Sequence, residues 1–594
     1  MQDVHRARRR ATAATGALVV ALLAACTWGT DQTPTSTPAV TATPAPSPVS
    51  AAPGTPPPAS VVVGGDAQAA LATSAALLTS APVAVVAPGG DTAAVLTAST
   101  AAVATGAPML LTGDGVEVAD ELGRLGTQHV LLVGDVAQEA VPADVVAVRT
   151  PAGADADTLA AVVGHDLGDV VAVAPGGEAA AVRALARPRP AVLVAAPAPA
   201  DDAAVGDAPA DGAAAPTSDA PGRTATDATA AAGRGPSGPA SLPPTSPVAA
   251  EGVVVFVDST LPLAAVATAR ALDVEVLDVP GGDPRATSGT VQAVAAAAPT
   301  AVLAFGESFG TPERLAARTA TARTGVELPG GGQLVFPTAP GLPGTKYVAL
   351  YGTPGSSALG VLGEQDVPAT VARAEQHAAP YRALTGDTVV PAVEIIATIA
   401  SAGPEPDGSY SRKRAVADLR PLVDAAGAAG QYVVLDLQPG RQDFVTQAQA
   451  YAELLALPHV GLALDPEWRL APDQVHLRQI GTVGIDEVNA TAAWLAQLTR
   501  DNALPQKMFV LHQFSLRMIG ERERLDTSHD ELAPLIHVDG QGSQPAKAGT
   551  WATLRNGAPP VHWGWKNFYD EDVPMLDPVQ TYQVQPVPDL VTYQ

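Results

Sequence analysis

Short apolar runs alternate with Ala-rich stretches from residue 59 to about 320, and the rhythm resumes after 345 with longer, more varied side chains. The runs at 60–64, 83–87, 109–112 and 130–134 are each closed by Gly, Asp or Pro. Runs this short, apolar throughout and bounded by turn-formers predict buried parallel strands with helices between them. The pattern repeats: Pro88-Gly89-Gly90-Asp91 returns as Pro175-Gly176-Gly177-Glu178, and Val133-Gly134-Asp135 returns as Phe305-Gly306-Glu307. Two α/β units are recognisable in this way, one over 59–198 and the remainder of a second over 250–325. Between them, 199–249 is an Ala, Pro, Asp and Ser segment with no periodic apolar face, which predicts a disordered linker.

Eight further runs follow residue 345, at 347–351, 393–399, 432–437, 460–464, 508–512, 535–538, 561–565 and 590–593. Helix-like stretches such as 364–377, 411–428, 443–457 and 486–500 separate nearly all of them. Eight strand–helix units in about 250 residues predict a (β/α)₈ barrel over 340–594, with its chemistry on the loops at the strand C-termini. The fold class is therefore α/β, with small N-terminal units followed by a TIM-type barrel.

The residues just past those runs are strongly polar. They include Asp436, Asp465, Glu467 and Trp468, then His512 and Gln513, then Asp539, then Trp563, Trp565, Lys566 and Tyr569. Carboxyl groups at one mouth with aromatic faces suit a sugar, since rings stack on pyranoses and acids act at the glycosidic bond. Asp465 and Glu467 are two apart, so on a strand they point the same way. Two carboxyls that close together cannot both ionise cheaply, and the one whose pKa rises can serve as an acid.

This Asp-x-Glu at the end of the fourth strand resembles chitinase-like and Chalaropsis-type lysozyme-like glycosidase barrels. The resemblance implies Glu467 as general acid, Asp465 as its partner and Asp436 and Asp539 as supporting acids. It makes Trp468, Trp563 and Trp565 sugar platforms, with Lys566, His512, Gln513 and Tyr569 as further binding residues. The longer Asp-rich strand-four signature of chitinases is missing, and strand one ends Leu350-Tyr351-Gly352, without the Asp of the lysozyme-like group. Structural pairing of the same acids with Arg441, Arg469 or Lys566 stays open.

No metal and no cofactor are expected. The His residues lie on separate strands with no His-x-x-x-His pair, and the Gly pairs lack phosphate-loop or dinucleotide spacing, so no nucleotide is expected either. The Gly pairs read as strand-to-helix turns.

The N-terminus adds a location. Arg6, Arg8, Arg9 and Arg10 precede a nearly uncharged run that ends Leu23-Ala24-Ala25-Cys26, and Cys26 is the one cysteine of 594 residues. The run is shorter than the ~20 residues that span a bilayer but fits a signal peptide. Its end resembles the lipobox of bacterial lipoproteins. That resemblance implies cleavage after residue 25 and a lipid on Cys26, which tethers an exported chain to the outer face of the cytoplasmic membrane. A Thr-, Pro- and Ala-rich stalk over 26–58 would then raise the folded part from the lipid.

Composition narrows the partners. The formal charge is −26, and aromatics make up only 4% of residues. An acidic chain excludes nucleic acid, whose phosphates require clustered Lys and Arg. The stretch from Ala101 to Asp135 resembles the type 2 cell-wall-binding repeats of Gram-positive surface proteins, which implies non-covalent attachment to a wall polymer. The combined expectation is an envelope lipoprotein whose barrel acts on a wall or capsular polysaccharide. The alternative is a non-catalytic glycan-binding or structural lipoprotein.

Overall fold

The computed structural model describes residues 47–113, 115–197, 241–258 and 261–594. The segments expected to be a signal peptide with Cys26, most of the expected stalk and most of the expected linker lie outside the described residues.

The N-terminal half holds three parallel sheets. Met109–Thr112, Val83–Pro88, His129–Val133 and Val146–Thr150 form the first, in that order. Val170–Val173 pairs with Val192–Ala195 in the second. The third runs Glu275–Asp278, Val253–Val257, Ala301–Phe305 and Ala59–Val62, so the first strand of the α/β region closes the last sheet. Helices Asp66–Leu77, Thr92–Thr105 and Leu263–Ala271 supply a shared core of Ala side chains, including Ala70, Ala98, Ala101, Ala102, Ala264 and Ala267. Small side chains let helices approach closely, and the Thr268 hydroxyl accepts a hydrogen bond from the Met109 amide at 2.9 Å across this core.

Two expected boundaries move. Residues 47–58 are not all stalk: Val49 bridges Thr245, and Ala52–Pro53 pairs antiparallel with Leu78–Ser80. Residues 241–249 are not disordered either, because Leu242 is buried and its amide donates to the Val162 carbonyl at 2.9 Å. Both segments carry isolated apolar side chains that the core takes in, which averaged composition hides.

The C-terminal half is a closed barrel of eight parallel strands. These are β1 (Thr345–Gly352), β2 (Thr388–Ala400), β3 (Tyr432–Leu437), β4 (Val460–Leu464), β5 (Lys507–Gln513), β6 (Leu532–Val538), β7 (His562–Asn567) and β8 (Leu590–Tyr593). Each pairs with the next, and β8 closes on β1. Residues 411–413, read as helical from sequence, instead pair antiparallel with the end of β2.

Alternation along the strands divides the barrel. One set, including Val393, Leu435, Leu462 and Leu511, packs outward on the surrounding helices. The other points inward, and its lower layers are apolar: Tyr347, Ala349, Val390, Ala392, Tyr432, Val434, Ala463, Met508 and Val510. Leu328, Val335 and Phe336 from the connecting segment join that lower cluster. Tyr347 donates its hydroxyl to the Val335 carbonyl at 3.2 Å, and Phe336 stacks on His562 at 4.0 Å between ring centroids. The lower end is thereby filled, and among the described residues the barrel opens at its C-terminal mouth.

Candidate active site

Continuing the inward set by two residues turns it polar. Above Ala349 comes Tyr351, above Ala392 comes Glu394, above Val434 comes Asp436 and above Ala463 comes Asp465. Above Val510 comes His512, and β6 adds His537 with Asp539 just past its end. Every one of these side chains is buried. A cavity of about 470 Å³ opens over them, lined by Tyr351, Asp465, Glu467, Trp468, Asp539 and Lys566 among others.

Glu467 does not reach the cavity by strand alternation. Residues Pro466–Trp468 form a 3₁₀ turn directly after Asp465, and this turn brings the Glu467 carboxyl back over the mouth beside it. Arg469 turns away to pair with Glu487 at 3.0 Å, so it does not cover Glu467. Among the described residues, the Glu467 side chain has no hydrogen-bond or ion-pair partner. Lys566 lies 3.6 Å from the centroid of the Tyr351 ring, an arrangement in which the ring face attracts the cation.

The carboxyls are driven apart in acidity. Burial, reinforced by nearby Asp539, pushes Glu467 up to about 7. Burial with the charges of Glu467 and Asp436 raises Asp465 well above the carboxylate range. Asp436 rises to about 6, mainly through burial, while Tyr351 donates its hydroxyl to Asp436 Oδ2 at 2.8 Å. Burial alone would raise Asp539 too, but the hydrogen bond and charge of His512, with Lys566, hold it below its usual value. Groups displaced in opposite directions are the mark of an acid and a base in one site.

Other expected site residues lie elsewhere. Trp563 and Trp565 point outward from β7 and meet Trp551 of helix Gln544–Arg555 at 5.8 and 5.5 Å between rings, and neither lines the cavity. Gln513 also faces outward, and its Oε1 accepts from Arg522 at 2.9 Å. Tyr569 bonds His377 at 2.6 Å beside a separate depression of about 330 Å³. His512 and Asp436 lie beneath the cavity rather than on its wall. The structure brings together Asp465, Glu467, Trp468, Asp539 and Lys566, with Phe514 and Phe568 as additional aromatic walls.

Glu394 and Tyr351 were missed from sequence. Glu394 is the one acid in the 13 residues of β2, set at even spacing from Val390 and Ala392, and that parity was the available signal.

Two triads, His512–His537–Asp539 and Glu394–Asp436–His512, hold ligand-type atoms within 4.8 Å of one another. Both His512 nitrogens already face carboxylates, Glu394 at 2.7 Å and Asp539 at 3.0 Å, which satisfies the imidazolium without an ion.

Gly564 on β7 faces the same interior, and a Cβ there would overlap the His537 ring. Gly564→Ala should therefore cost ~1–3 kcal/mol through overpacking. Chemical denaturation would measure it, and a stability equal to wild type would show that the ring can move aside.

No protein-family model matches the chain, and no curated protein sequence is similar to it. Among solved structures, Cwp6 from Clostridium difficile is similar with a TM-score of 0.31 and 14% sequence identity, over 64% of this chain. This chain spans 63% of that structure's length.

Proposed function

We propose that this chain is an exported, lipid-anchored envelope protein whose barrel mouth cleaves a glycosidic bond in a wall or capsular polysaccharide. The observation that carries the reading is the Glu467 carboxyl, without a hydrogen-bond or ion-pair partner among the described residues, in an open cavity of about 470 Å³ and raised to about 7. It stands beside an Asp539 held ionised. In this reading Glu467 gives its proton to the leaving oxygen as the C–O bond breaks, and the elements of water complete the products. Asp539 carries the negative charge that stabilises the sugar cation. Asp465, with its raised pKa, holds its own proton next to Glu467. Trp468 and the Phe514 and Phe568 rings offer apolar faces to the sugar. The location rests on the resemblance of Leu23-Ala24-Ala25-Cys26 to a lipobox, and polymer attachment on the likeness of the α/β region to wall-binding repeats.

Incubating the purified chain with cell-wall glycan, and following both new reducing ends and co-sedimentation, tests this. Release by wild type that disappears in Glu467→Gln supports hydrolysis. Binding without release by either protein would make the mouth a lectin-like site. Absence of both across neutral and acidic glycans would sink the reading.

A further inference from the structure

Asp539 is held from behind by groups that solvent does not reach. His512 is completely buried at the centre of the barrel. Its Nε2 donates to Glu394 Oε1 at 2.7 Å and its Nδ1 donates to Asp539 Oδ2 at 3.0 Å. His537 Nδ1 stands 3.3 Å from that same Nδ1, and His537 Nε2 lies 3.1 Å from the Thr592 hydroxyl. Burial, with the charges of His512 and Lys566 nearby, keeps His537 neutral. With the His512 imidazolium carrying a proton on Nδ1, the 3.3 Å contact leaves a neutral His537 with an unprotonated Nδ1 facing it. It therefore cannot replace His512 as the donor to Asp539.

The remaining neighbours of His512 complete its surroundings. Asp436 on β3 comes within 4.0 Å of Nε2, and the Tyr351 ring of β1 is 6.0 Å away between centroids. Asp465 and Glu467 follow β4, and Lys566 projects from β7 into the same cavity. Carboxyl groups outnumber cations around the ring. One oxygen on each of Glu394, Asp436, Asp465 and Asp539 has no hydrogen-bond partner. A buried carboxylate without compensation is costly, so a cation lodged between two of them decides which one stays charged.

We propose that Glu394 and His512 are positioning residues of the barrel site: Glu394 fixes the His512 imidazolium, and His512 fixes Asp539 Oδ2 so that Asp539, rather than Asp465, is the charged partner of Glu467. This deepens the hydrolytic reading and rests on it for its kinetic readout. Glu394 does not line the cavity, and its side-chain hydrogen bond runs to His512. Burial by itself would discharge His512, but Glu394, Asp539 and Asp436 hold it protonated well above the usual histidine range.

Histidine-labelled NMR of the intact chain tests the assignment, with the His512 signal identified by its loss in His512→Asn. In wild type the ring should stay an imidazolium well above the usual histidine range. In Glu394→Gln its midpoint should fall by about one to three pH units, the effect of one carboxylate at hydrogen-bond distance. Glu394→Asp keeps the charge and should keep the ring protonated. In kinetics, Glu394→Gln should lower kcat ~10-fold or more with KM within ~2-fold, and shift the acid limb of the pH profile upward. A His512 that is neutral at pH 7 in wild type, or unmoved in folded Glu394→Gln, would overturn the proposal. If the His512 midpoint moves as expected in a chain that cleaves no glycan, hydrolysis fails while the Glu394–His512–Asp539 arrangement stands.

Discussion

Glu467→Gln should abolish glycan cleavage, by ~10²–10⁴-fold, while leaving glycan binding in place. The amide keeps the shape and hydrogen-bonding capacity of the protonated side chain but has no proton to give to a leaving oxygen. In wild type the group is raised to about 7 by burial and by Asp539, so cleavage should decline as pH rises through that value. The stability of the variant gives an independent reading of the same displacement. A carboxyl whose folded pKa exceeds its unfolded one binds its proton more tightly in the folded state, so wild-type stability falls as pH climbs from about 4.5 to about 7 and then levels off. Glu467→Gln removes that penalty. It should be more stable than wild type at pH 8, by ~1–2 kcal/mol, and nearly equal to it at pH 4. Loss of activity combined with loss of stability at pH 8 would mean that Glu467 holds the mouth together instead of serving as its acid.

The barrel was legible because each strand carries an unbroken apolar run closed by a turn, and eight such runs at regular spacing admit few other folds. The site was legible only in part. Polar residues past the runs mark the mouth, but only the parity of the interior residues below tells which of them point in. Parity separates Asp436 and His512, which point in, from Trp565 and Gln513, which point out. Glu394 was hidden inside an apolar run, where a single acid looks like an interruption rather than a member of a ring. Glu467 shows the opposite limit: its position depends on a 3₁₀ turn that alternation does not describe. In the α/β region the pairing of Ala59–Val62 with Ala301–Phe305 spans some 240 residues, and no local pattern announces it.

Arg285→Met should uncouple the last α/β unit from the barrel, lowering stability by ~3–5 kcal/mol, the usual result of stripping one partner from a buried ionic group. Arg285 is buried, and its guanidinium donates to Asp283 Oδ2 at 2.8 Å and to Asp530 Oδ2 at 2.7 Å. Asp530 stands just before β6 of the barrel, whereas Asp283 belongs to the α/β half. Arg318 closes the set, reaching Asp530 Oδ1 at 2.6 Å and Asp283 Oδ2 at 3.3 Å. Burial would raise both acids, but the two guanidinium groups hold them below their usual values. A depressed folded pKa contributes stability that is present above the unfolded value near 4 and is lost as pH falls through the folded value. The joint should therefore weaken in acid before the barrel core does. In the variant, Arg318 is left as the only guanidinium bonded to both carboxylates among the described residues, and guanidinium denaturation should resolve two transitions where wild type shows a more cooperative one. Replacing all four residues with apolar side chains of similar volume should restore most of the loss, because no buried charge is then left without a partner. If that quadruple variant proves as weak as Arg285→Met, the junction depends on the geometry of its hydrogen bonds and not on charge balance.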